Sequence, residues 1–135
     1  PLSGLRGSLI LDDSYSSSPA AAEAALETLG ALEGRRKVAV LGDMLELGRL
    51  SGEFHRQAGE QAAGVCDIFV TVGSRALEAA RTAASKGFDK EKIFSCDTSE
   101  KAKDILFSKI GLKKNDVVLL KGSRGMKLDK ILEIT

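Results

Sequence analysis

Cysteine is scarce in this 135-residue chain: only Cys66 and Cys96 occur, far apart and without CxxC spacing. That argues against a zinc site. Each cysteine lies in or beside an apolar run, as suits a small buried thiol in a reducing, cytoplasmic setting. Histidine is scarcer still, with His55 alone. No Ser or Cys pairs with it in sequence, so no nucleophilic triad is expected. Beside Phe54 at a helix start, it reads as a partly buried structural residue. No apolar run approaches the length of a membrane span, and no secretory signal opens the chain. The first residue is Pro1 rather than Met, and the expectation is a piece of a longer protein. An excess of one charge is missing as well: 20 Lys and Arg face 19 Asp and Glu, intermixed along the chain. Without a basic stripe there is no nucleic-acid footprint. Neither GxGxxG nor GxxxxGK[ST] occurs, so nothing here binds a dinucleotide by fingerprint or cradles a triphosphate alone. With no linker, repeat or low-complexity tract, residues 1–135 read as one domain with one core.

What is present is alternation. Short, near-continuously apolar runs recur at Ser8–Leu11, Lys37–Leu41, Ile68–Val72, Lys92–Ser95 and Val117–Leu120. Such runs suit strands covered on both faces. Helical patterns lie between them. Ser18 caps the first, with Pro19 in its first turn and Leu26 and Leu29 on its apolar face. Ser51 opens the second, with Phe54, Ala58, Ala62 and Val65 inward. Ser74 opens the third, with Leu77, Ala80 and Ala84 inward. Asp97 and Glu100 form a capping-box-like start to the fourth, whose stripe is Ala102, Ile105, Leu106 and Ile110. Leu128, Ile131 and Leu132 mark a short fifth. The expected fold class is α/β: a doubly wound, Rossmann-like, mostly parallel sheet of five to six strands in three α/β/α layers.

In such a sheet ligands bind beyond the carboxyl ends of the strands. Those ends read Asp12-Asp13-Ser14, Gly42-Asp43, Gly73-Ser74-Arg75 and Lys121-Gly122-Ser123-Arg124. Small or polar turns opening helices suit an anion. Acids after the first strand and a lysine after the last also resemble a phospho-acceptor receiver domain. That chemistry needs an aspartate ending the third strand, where Val72-Gly73-Ser74 stands instead. A free-standing nucleotide- or anion-binding regulatory module stays open as the alternative function.

Three phrases are more specific. "LILDDSYSSSP" (Leu9–Pro19), "VAVLGDMLELG" (Val38–Gly48) and "LLKGSRGMKLDKIL" (Leu119–Leu132) occur in order, with "FHRQAG" (Phe54–Gly59) between them. Together they resemble the C-terminal domain of the Mur ligase family. The "DDSY" phrase is most similar to the branch that adds D-Ala-D-Ala to UDP-MurNAc-tripeptide. The resemblance implies an ATP-dependent amide ligase of three domains in peptidoglycan synthesis, working through an acyl phosphate. The missing N-terminal domain would hold the UDP-sugar end. The missing central domain would bind most of the ATP and the Mg2+, so this domain is expected to hold neither catalytic nor metal-binding residues and to be inactive alone.

The same resemblance implies nucleotide contacts at Asp13, Tyr15 and Ser16, with Asp13 toward the ribose. It places Asp43, Lys121, Ser123 and Arg124 on the D-Ala-D-Ala side. Where the family carries Asn, this chain has Ser16 and Ser18. A serine at 16 has less reach and one donor fewer, whereas Ser and Asn are near-equivalent as the helix cap at 18. For Asp43, Met44 and Glu46 two readings stay open: a loop shaping the dipeptide cleft, or a packed loop with solvated acids.

Overall fold

The computed structural model describes residues 2–3, 8–13, 18–122 and 127–132, with side chains at all of these except 2, 3, 12, 13, 129 and 132. The apolar runs form strands β1 Leu2–Ser3, β2 Leu9–Asp13, β3 Arg36–Gly42, β4 Ile68–Val72, β5 Ile93–Cys96 and β6 Asp116–Lys121. They build one sheet in the order β1-β2-β6-β3-β4-β5. Strands β2 to β6 are mutually parallel, and β1 pairs antiparallel with β2. The two-residue β1 is too short to leave a periodic signal, and no strand is expected there from sequence. The helices are α1 Pro19–Ala31, α2 Ser51–Val65, α3 Leu77–Ser85 and α4 Ser99–Asp104. From α4 the chain continues in a wider turn over Ile105–Ile110 and stops at Gly111, whose φ is +66°. Left-handed backbone of this kind favours glycine.

Strand alternation divides the core in two. Val38, Val40, Val70, Val72, Val118 and Leu120 pack against Ala102, Ile105, Leu106, Leu128 and Ile131. Ala39, Leu41, Phe69, Val117 and Leu119 face α1, α2 and α3 through Leu26, Leu29, Ala58, Ala62, Ala79 and Ala83. The fold is therefore three-layered, with α1 to α3 on one side and α4 with the Leu128–Leu132 turn on the other. Small residues bring α2 and α3 close: a Cβ at Gly59 would collide with the Ala79 backbone.

Two helix starts differ from the sequence expectation. Thr98, rather than Asp97, caps α4 by accepting from the Lys101 N–H at 3.2 Å. Asp97 instead pairs with the Lys101 ammonium at 2.8 Å, and that hydrogen bond holds its carboxyl below the usual range. Ser74 does not begin α3, which starts at Leu77 without a cap from its own flanking side chain. Its buried face is Ala79, Ala80 and Ala83; Ala80 lies inward as expected, whereas Leu77 and Ala84 are only half-buried and Ala79 and Ala83 take their place.

At the opposite, amino end of the sheet, Arg36 on β3 holds Asp116 on β6 with two donors, at 2.9 and 2.6 Å. Arg36 also donates to the Gly111 carbonyl, and the Lys113 N–H donates to Asp116 at 2.7 Å. Burial pushes the Asp116 carboxyl up, yet the Arg36 and Lys113 hydrogen bonds outweigh it and leave it below its ordinary value.

Candidate functional site

The carboxyl edge of the parallel sheet gathers the polar strand ends. Because β6 inserts between β2 and β3, Lys121 lies directly across from Asp13 on one side and from Leu41 on the other. Gly42 then faces Val72, and Val72 faces Cys96. Adjacent strands sit about 4.8 Å apart, so Asp13, Lys121 and the start of the Asp43 loop occupy three neighbouring strand ends. The Leu128–Leu132 turn, which follows β6 in sequence, packs on the α4 side, whereas α1 and α2, which follow β2 and β3, pack on the other face. Such reversals open crevices in doubly wound sheets.

Tight glycine contacts shape this edge. Gly122, just beyond Lys121, packs on Gly42, and a Cβ there would lie 3.0 Å from the Gly42 Cα. Lys121 itself is buried, at 1% exposure. By alternation it follows Val117 and Leu119 onto the α1–α3 side of β6. Tyr15, Ser16, Ser123 and Arg124 lie outside the described residues, and Asp13 is described in backbone alone.

Asp43 is held on all sides. Its N–H donates to the Val72 carbonyl at 3.1 Å, extending the β3–β4 pairing by one residue. Its Oδ1 accepts from the Ala76 N–H at 2.6 Å, and its Oδ2 lies 3.4 Å from an Arg75 guanidinium nitrogen. The carboxylate, 3% exposed as a residue, thus stands in for the cap that α3 lacks locally, at the positive end of its dipole. Gly73 makes room for it: its φ is +108°, and a Cβ would overlap the Asp43 carboxylate. Of the two readings open for this loop, solvated acids fail for Asp43, while Met44 is packed as expected, at 0% exposure. Glu46 is exposed and carries a left-handed φ of 64°. Arg75 closes one of the polar strand ends read from sequence, with no partner legible there. Its half-exposed guanidinium joins the rim through Asp43, a pairing between strand ends that sequence distance hides.

His55 is fully buried rather than partly so. Cys66 is buried too, and burial pushes its thiol up to about 12; burial raises the Cys96 thiol as well. Neither is an activated nucleophile. Among the described residues, no group of three His, Cys, Asp or Glu side chains converges as metal ligands. None of the described helices is long and apolar enough to cross a membrane.

Comparison with known proteins decides the family. Residues 2–124 match the family model described as "Mur ligase, glutamate ligase domain". The chain belongs to this family. Its Mur ligase domain is 38% identical over 130 residues to the UDP-N-acetylmuramoyl-tripeptide--D-alanyl-D-alanine ligase of Bacillus subtilis, covering 94% of this chain and 28% of that protein. The Escherichia coli enzyme of the same name is 32% identical over 98% of this chain, again matching 28% of its own length. Among solved structures, the Mur ligase domain resembles the MurF ligase of Thermotoga maritima in complex with ADP. There the TM-score is 0.73 and the identity 34%, over 93% of this chain and 27% of that one. MurF from Acinetobacter baumannii gives a TM-score of 0.76 at 27% identity, over 94% and 28% of the two chains. The chain thus spans little more than a quarter of the relatives it matches.

Proposed function

We propose that residues 1–135 are the C-terminal domain of a three-domain, cytoplasmic, ATP-dependent amide ligase that adds D-Ala-D-Ala to UDP-MurNAc-tripeptide in peptidoglycan synthesis. The observation that carries this reading is the end-to-end likeness, at 38% identity over 94% of the chain, to an enzyme bearing that name. A match to 28% of that enzyme's length accords with one domain of three, and the domain alone is inactive in this reading. ATP phosphorylates the tripeptide carboxylate, and the dipeptide amine then displaces phosphate to form the amide.

The chain contains no GxxxxGK[ST] loop and, among the described residues, no cage of metal-binding side chains. The triphosphate and its Mg2+ are therefore assigned to the central domain. The carboxyl edge of this sheet closes over them. Asp13 accepts hydrogen bonds from the ribose hydroxyls, a charge-assisted arrangement, with Tyr15 and Ser16 beside it. Lys121, Ser123 and Arg124 face the dipeptide, the arginine gripping its carboxylate with two donors. Asp43 serves the same side by ordering the Gly73–Ala76 turn and Arg75.

Steady-state kinetics of the full-length enzyme test this division. Losing a hydrogen bond to a charged group costs about 1.5–3 kcal/mol. Lys121→Ala or Arg124→Ala is expected to raise KM for D-Ala-D-Ala about tenfold or more, and Asp13→Ala to raise KM for ATP. Wild-type constants in both basic variants would sink the dipeptide assignment. An unchanged KM for ATP would sink the ribose role.

A further inference from the structure

The geometry points to His55 as a positioning residue that sets the direction of Asp43, and through it the dipeptide side of the rim. The inference rests on the ligase reading for what the rim binds, but the latch itself stands on geometry alone. The His55 ring is fully buried in the first turns of α2. Its Nε2 accepts from the Met44 N–H at 2.9 Å, and its Nδ1 lies 2.6 Å from the Ser51 carbonyl. An amide N–H can only donate and a carbonyl can only accept. The ring is therefore neutral, with its proton on Nδ1 donated to Ser51.

The Met44 N–H belongs to the peptide plane that joins Asp43 to Met44. Fixing that plane fixes the rotation of the chain leaving Asp43. The preceding plane is fixed too, because the Asp43 N–H donates to the Val72 carbonyl. Gripped on both sides, Asp43 aims its carboxylate at the Ala76 N–H and at Arg75. A chain of contacts thus runs from inside α2, through the loop after β3, to the turn before α3. The loop needs such an anchor. Within five residues of Asp43 it makes two left-handed turns, at Glu46 with φ 64° and Gly48 with φ 59°. Left-handed backbone at a non-glycine residue persists only where surrounding contacts over-determine it.

Two substitutions separate the contacts of the ring's two nitrogens. In His55→Gln the amide oxygen can reach the Nε2 position and still accept from Met44. In His55→Asn the amide reaches only the Nδ1 position, keeping Ser51 and losing Met44. Hydrogen exchange in the full-length enzyme reads the latch directly. In wild type the Met44 and Ala76 amides should exchange far more slowly than that of Glu46. His55→Asn should speed exchange at Met44 and Ala76 at least tenfold, and His55→Gln should leave both protected. Kinetically, His55→Asn should raise KM for D-Ala-D-Ala about fivefold with KM for ATP within twofold, and His55→Gln should restore it. If His55 acts through Asp43, its effect should shrink in an Asp43→Ala background, where the side chain it positions is gone.

Rapid Met44 exchange in wild type overturns the latch without any variant. Equal loosening by Gln and Asn reduces His55 to a packing residue and overturns it as well. Loosening without a change in dipeptide KM overturns the positioning role. A wild-type enzyme that ligates no D-Ala-D-Ala defeats the ligase reading instead, and the exchange data still decide the latch.

Discussion

Asp43 concentrates several of the tensions in this domain in one residue. A buried carboxylate is costly unless charge and hydrogen bonds compensate it. Here an amide N–H, a helix N-terminus and an arginine do so together. Removing the side chain leaves the Ala76 N–H buried without an acceptor. Asp43→Ala should accordingly destabilise the chain by about 1–3 kcal/mol, seen as a lower urea midpoint. Asp43→Asn keeps an acceptor at the same place and should recover most of that loss. Equal midpoints for the Ala variant and wild type would show that the cap contributes nothing. The partnership was half legible: an acid after a strand and a glycine after the next strand stand in plain view. Their meeting depends on β3 and β4 being neighbours, which no local pattern reports.

Elements were legible where period and capping chemistry agree. Ser18 caps α1 by accepting from the Ala21 N–H at 3.1 Å, and Pro19 occupies a position where its missing N–H is harmless. The β-branched run Ile68–Val72 is a strand to the residue. Reading failed where a tertiary partner replaced a local one, as at the start of α3. It also failed at α4, where Thr98 takes the cap role expected of its neighbour Asp97. The Arg36–Asp116 pair joins β3 to β6 across a long sequence gap and leaves no motif, yet it carries a pH signature. The folded Asp116 carboxyl lies below its unfolded value. Its contribution is thus fully present above the unfolded value and is lost as pH falls through the folded one. Stability of the chain should decline below about pH 4, and Asp116→Asn should be less stable at neutral pH with a flatter acid limb. An unaltered acid limb in that variant would remove Asp116 from the account of acid sensitivity.

At the scale of the whole molecule, the alternation of strands and helices was enough to read a doubly wound three-layer domain. The sheet order was not readable in this way, because β6, last in sequence, takes the place beside β2 and β3 through long-range pairing. That insertion is what sets Asp13 opposite Lys121 and turns four separate strand ends into one edge. The family phrases had named those residues without explaining their proximity. The proposed contacts with ATP and dipeptide involve the domains that this chain does not contain, so the decisive test needs the full-length protein. It should be incubated with UDP-MurNAc-tripeptide, ATP, Mg2+ and D-Ala-D-Ala, and the products resolved by mass spectrometry. The expected result is UDP-MurNAc-pentapeptide and ADP in equal amounts, with no pentapeptide when the dipeptide is omitted or when this domain is deleted. An enzyme that makes no pentapeptide, or makes it undiminished without this domain, would contradict the assignment.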